Sequence, residues 1–171
     1  MEAPSPEASL SRKLAPYIIM VLALAAALAI YFNLFGSGFM AALAGATAKT
    51  TGWALRLLGN DISTSGTVVG ANDFAFDIVA ECTALGPVVL YAGAVLAYPS
   101  SIKAKIMGLA MGVSALLVIN LVRLVTLFYI GRNFPNALDV FHLLVWQSLI
   151  ILSAILLWLL WVERFARVPK R

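Results

Sequence analysis

The chain has 171 residues, 62% of them hydrophobic and only 12% charged, with a net charge of +4 and a mean hydropathy of +0.95. A soluble domain carries about 45–50% apolar and about 25% charged residues, so one soluble core of this size cannot hide this much apolar surface. Its natural solvent is lipid. The basic residues sit at the ends of apolar runs rather than in a patch, which excludes nucleic acid as a partner and points to the lipid bilayer. Cys82 is the single cysteine, so no internal disulfide can form.

Residues 1–16 form a polar leader ending near Arg12 and Lys13. The apolar run that follows, 17–35, is longer than the roughly 7–15 residues of a signal-peptide core, although the small residues from Ala42 to Ala46 imitate a cleavage site. It reads as a retained first span. Residues 36–81 form an extracytoplasmic segment of a different kind. Phe39 to Leu58 is alanine-rich and carries Lys49, Thr50, Thr51 and Arg56, which predicts a helix at the interface anchored by Trp53. A fifth, poorly hydrophobic span is the rival reading. From Ile62 to Ala80, Phe74, Phe76, Ile78 and Ala80 alternate with Ala75, Asp77 and Val79 after a turn at Gly70 to Asp73, which predicts a β-hairpin. Its open edges exclude it from lipid.

Residues 82–98 give a second, short span with Pro87 near its start, where proline is tolerated. A loop at 99–105 leads to a third span, 106–130, interrupted by Asn120 and Arg123. A loop at 131–141, a fourth span at 142–162 and a tail at 163–171 complete the chain. A bilayer core needs roughly 20 apolar residues per helix. The expected fold class is therefore an all-α integral membrane protein in a single membrane domain. It has about four transmembrane helices, an outward-facing interfacial helix and a short β-hairpin. Of the twelve basic residues, Arg12, Lys13, Lys103, Lys105, Arg164, Arg167, Lys170 and Arg171 fall on one side. The positive-inside rule makes that side, and both termini, cytoplasmic.

This topology brings three distinctive residues to one depth. Cys82 opens the second span and His142 the fourth, both at their outer ends. Arg123 lies about 25 Å along the third span from its cytoplasmic start, at 1.5 Å per residue. Each has a bland reading of its own: an inert buried thiol for Cys82, an interfacial residue for His142, and snorkelling for Arg123. Yet an arginine inside a span costs about 2.5–3.5 kcal/mol on insertion scales and so asks for a reason. Asn120, three residues earlier, shares its face and could bond Arg123 or hold its orientation. Glu81 is open to three roles: hairpin end, partner of Arg123, or partner of His142. Cysteine with histidine is a nucleophile–base arrangement, and an arginine suits a developing oxyanion.

The segments Glu81-Cys82-Thr83-Ala84-Leu85, Asn120-Leu121-Val122-Arg123 and Phe141-His142 resemble the exosortase/archaeosortase family. Its pattern is a Cys followed by Ser or Thr, an Asn-x-x-Arg in a later span, and a His opening the next. The resemblance covers about Ile62 to Val162, and the chain looks like a compact subtype similar to exosortase H. It implies a membrane cysteine protease/transpeptidase of the cell (inner) membrane with its active site outside. Its partners would be exported proteins with a C-terminal motif, a transmembrane helix and a basic tail. Cys82 would be the nucleophile, Arg123 the transition-state stabiliser and His142 the acid/base, with Glu81, Asn120 and Thr83 in support. Family members commonly have glycine two residues after the cysteine; here Ala84 stands there. Neither a cofactor nor a metal is expected, because one histidine and one cysteine supply too few ligands for a usual zinc site. The rival classes are a non-catalytic membrane scaffold, indifferent to Cys82, and a small transporter subunit with Asn120 and Arg123 along its path.

Overall fold

The computed structural model describes residues 37–166, together with Ile18, Val21, Leu22, Ala25, Ala26 and residues 28–33, this last group helical throughout. The polar leader, part of the first expected span and residues 167–171 of the tail lie outside the described residues.

Helix α1 runs from Gly38 to Leu57. The Ser37 hydroxyl caps it, accepting from the Met40 N–H at 3.3 Å. Met40, Ala44, Ala48, Thr51 and Leu55 recur at helical spacing and form its buried stripe. Small residues there let the helix lie close to the sheet, to the third helix and to the turn that carries Cys82. Trp53 points out, as the interfacial reading requires. Arg56 is tied down by its Nε, which donates to the Ile62 carbonyl at 3.1 Å, and by a bond to Thr64 Oγ1 at 3.2 Å.

The expected hairpin is a three-stranded antiparallel meander: β1 Ser63–Ser65, β2 Val68–Gly70 and β3 Ala75–Asp77, in that order. The Phe74 to Ala80 alternation supplies only the last strand. The first strand, Ser-Thr-Ser, carries no apolar period, so periodicity could not reveal it. Gly66, at φ +61°, makes the tight turn between β1 and β2. Val69 and Ile78 are buried against Leu55, Ile62, Leu124 and Phe128, and Cys82 belongs to the same core.

Helix α2 spans Leu85–Ala97 and helix α3 Ile102–Asn133. A further helical stretch, α4, covers Pro135–Ala166. α3 and α4 are each long and apolar enough to cross a membrane; α2 is a shorter apolar helix. α3 and α4 outrun their apolar runs at both ends, whereas α2 falls within the expected 82–98. Ser101 caps α3 with a 3.2 Å bond from the Ala104 N–H, which absorbs most of the expected 99–105 loop. The expected 131–141 loop is also largely helical. α3 persists to Asn133, Phe134 alone breaks the helix, and Pro135, pre-set in φ, starts the next helical turn. At the far end from the sheet, Tyr91 donates to the Gly108 carbonyl and Trp161 Nε1 to the Ala104 carbonyl, both at 2.8 Å. Gly108 and Gly112 have no room for a Cβ, because Trp161 and Tyr91 lie directly on them.

Candidate active site

Cys82 does not open a helix. It ends a 3₁₀ turn, Ala80–Cys82, that connects the sheet to α2. The turn is stapled from within: the Cys82 N–H donates to the Val79 carbonyl at 2.9 Å, and the Thr83 hydroxyl donates to the Ala80 carbonyl at 2.7 Å. Ala84 then takes a left-handed conformation, φ +60°, the one non-glycine residue with positive φ among the described residues. This reversal lets the chain turn sharply from the cysteine into α2. It also accounts for the glycine common at this position in the family. A left-handed site favours glycine, and alanine holds it here at a cost of about 1–2 kcal/mol.

Asn120 reaches this turn from α3. Its Nδ2 donates to the Cys82 carbonyl at 2.7 Å, so the asparagine braces the cysteine's backbone rather than Arg123. A bond to Arg123, one of the two roles open to Asn120, is not found: Oδ1, the atom that could accept from the guanidinium, has no partner among the described residues.

His142 arrives from α4, and its Nε2 stands 3.6 Å from Cys82 Sγ. The residue lies in a π-type segment, Phe141–Trp146, within α4. Such widened turns are rare and tend to occur at functional sites. Arg123 is the largest fully buried side chain, 1% exposed, and its Nε has no protein hydrogen-bond partner among the described residues. Its charge nevertheless acts on Cys82. Burial pushes the Cys82 thiol up, the Arg123 guanidinium opposes that rise, and Glu81 and Asp77 add to it. Glu81 is exposed and makes no ion pair with Arg123; the ion pair found among the described residues is Arg132–Asp73, at 2.7 Å. Glu81 instead lines a cavity of about 190 Å³ with Tyr31, Phe32, Gly86 and Gln147.

Three residues distant in sequence thus converge: a thiol, an imidazole at contact distance, and a buried guanidinium whose charge reaches the thiol. A sequence model of the transmembrane exosortases matches residues 8–162. The chain belongs to that family. No curated protein and no solved structure matches it. Exosortases are in general membrane-associated sorting enzymes of the cysteine-peptidase type, and the two long apolar helices agree with a membrane protein. Among the described residues of this exosortase, no group of three His, Cys, Asp or Glu could hold a metal ion.

Sequence spacing does not single out Thr51, on the buried stripe of α1. It is fully buried, its hydroxyl lacks a partner among the described residues, and it lines a cavity of about 360 Å³ together with Thr83 and Asn120. A threonine among alanines in a helix reads as an ordinary helix-face residue until the packing is known.

Proposed function

We propose that this exosortase is a cysteine transpeptidase that cleaves the C-terminal sorting tail of exported proteins through a thioacyl-enzyme. The observation that carries the reading is the 3.6 Å approach of His142 Nε2 to Cys82 Sγ. The chain crosses the bilayer about four times, with both termini cytoplasmic and the sheet, the cysteine turn and the start of α4 outside.

Burial favours the neutral thiol at rest. His142 therefore takes the Cys82 proton as the sulfur attacks the scissile carbonyl carbon. The carbonyl oxygen becomes an oxyanion, and the buried Arg123 guanidinium stabilises it. Preorganisation counts here: the cation is already desolvated and spends none of its hydrogen-bonding capacity at Nε on a protein partner. The intermediate collapses, the C–N bond breaks, and the leaving amine takes the proton from the His142 imidazolium. The thioester is then resolved by an incoming amine or by water, with His142 accepting the nucleophile's proton and returning one to the Cys82 sulfur. Thr83 and Asn120 hold the cysteine's backbone fixed through these steps.

The test is a trapped intermediate. Incubated with a substrate protein and denatured rapidly, wild-type enzyme is expected to carry a covalent adduct that neutral hydroxylamine releases and that Cys82→Ser does not form. An adduct of equal yield on the serine variant, or one resistant to hydroxylamine, contradicts the thioester route.

A further inference from the structure

The Asn120 amide has a second polar atom, its oxygen, to account for. Because Nδ2 donates to the Cys82 carbonyl, the amide orientation is determined: the reverse would set two oxygens against each other. Oδ1 is thus an acceptor only. It is buried, on a residue 3% exposed, and has no protein partner among the described residues. Three residues on, Arg123 presents the opposite deficit, a buried Nε–H donor without a protein partner. On one helix face, positions i and i+3 stand about 5–6 Å apart at Cβ. One helix face beside the nucleophile therefore offers one acceptor and one donor.

Leaving a buried polar atom unpaired costs about 1–3 kcal/mol, so a pair of them calls for a ligand with the complementary pair. A residue of an extended peptide has that pair: its own N–H and C=O point to the same side, as in an antiparallel ladder. We infer that Asn120 Oδ1 accepts the backbone N–H of the substrate residue whose carbonyl is attacked, while Arg123 receives that same residue's carbonyl oxygen. The inference rests on the cysteine-transfer reading above and adds to it the register of the substrate. A cavity of about 360 Å³, lined by Asn120 together with Thr51 and Thr83, the residue after the nucleophile, leaves space beside the asparagine. The residue at the scissile bond is bound extended, by its backbone, and Asn120 couples substrate register to nucleophile position through one amide group.

The experiment uses purified full-length enzyme in nanodiscs and three synthetic peptides spanning a cleavage position identified by mass spectrometry. One is all-amide. In the second, an ester oxygen replaces the N–H of the residue that donates the scissile carbonyl. A third peptide carries the ester one residue upstream. Cleavage at the scissile bond is followed by mass. The first ester is expected to lower kcat/KM about tenfold, the size of one buried hydrogen bond lost, and the upstream ester to change it little. In Asn120→Ala the ester-to-amide ratio is expected to fall to about one, although both peptides react more slowly. A ratio that persists in Asn120→Ala makes the asparagine a brace only and overturns the inference. A wild-type ratio near one also overturns it, with no need for the variant to fold. Cys82→Ala is run in parallel. Cleavage by that protein would refute the nucleophile assignment, while the wild-type ratio would still report on Asn120.

Discussion

At Cys82 two opposing influences meet, and their order decides the resting state. Burial raises the thiol above its ordinary value near 8.5, and the Arg123 charge only partly offsets this. A group whose pKa is raised stays protonated further into the alkaline range. The rate of Cys82 alkylation by iodoacetamide should therefore climb with pH and reach half its maximum above the value of a free thiol. Removing the cation in Arg123→Gln should move that midpoint higher still, and should lower turnover about 10²–10³-fold, as expected for loss of an oxyanion donor. A midpoint below that of a free thiol, or one that falls in Arg123→Gln, would contradict this balance. Ala84 makes a second residue-scale case. Glycine relieves the left-handed backbone but adds freedom to the unfolded chain, so Ala84→Gly should be neutral or stabilise by up to about 1 kcal/mol. Ala84→Val, with a branched side chain at φ +60°, should lower the melting temperature clearly. Equal melting temperatures for the two variants would mean that the backbone is not held there.

At the scale of elements, the helices were legible from apolar runs and the connections were not. Ser101 and Pro135 are strong helix-start signals, yet each lies in a stretch polar enough to be read as loop, so α3 and α4 begin before the hydrophobic pattern does. The sheet was half visible. Phe74 and Phe76 alternate because they pack on Phe128, whereas β1 is built from small polar residues and is defined by its ladder to β2. The chemistry at the site divides the same way. Cys82, Arg123 and His142 were legible because their residue types are costly or rare in a span. The brace from Asn120 to the Cys82 carbonyl was not, because nothing in the spacing says which carbonyl of another segment the Asn120 amide will meet. The packing of α2, α3 and α4 gives a prediction remote from this chemistry. Gly112→Val drives a side chain into Tyr91 and disturbs its bond to the Gly108 carbonyl. Unfolding in detergent should report a loss of about 1–3 kcal/mol, the usual cost of overpacking. The rate of Cys82 alkylation in the surviving folded protein should be unchanged; altered reactivity would mean that the two ends of the bundle are coupled.

Across the whole molecule, two cores divide the labour. One, between the α2, α3 and α4 helices, centres on Tyr91, Leu116, Ile150 and Trp161. The other gathers α1, the sheet and the C-terminal part of α3 around Leu55, Val69, Phe128 and Cys82. The second core is where a polar site can exist, because the sheet and α1 cover it from one side while the helix bundle supports it from the other. Exposed apolar residues such as Val118, Leu143, Leu152 and Leu160 follow α3 and α4 outward, which suits a lipid environment rather than a water-facing one. The account as a whole depends on Cys82 being a nucleophile rather than a packing residue of that core. The direct measurement is to replace Cys82 by Ala at the chromosomal locus, confirm by immunoblot that the protein accumulates in the membrane, and compare the C-termini of exported proteins by mass spectrometry. The account predicts a set of proteins that keep their C-terminal helix and basic tail only in the mutant. C-termini identical to wild type, with the variant protein present at normal level, would contradict it.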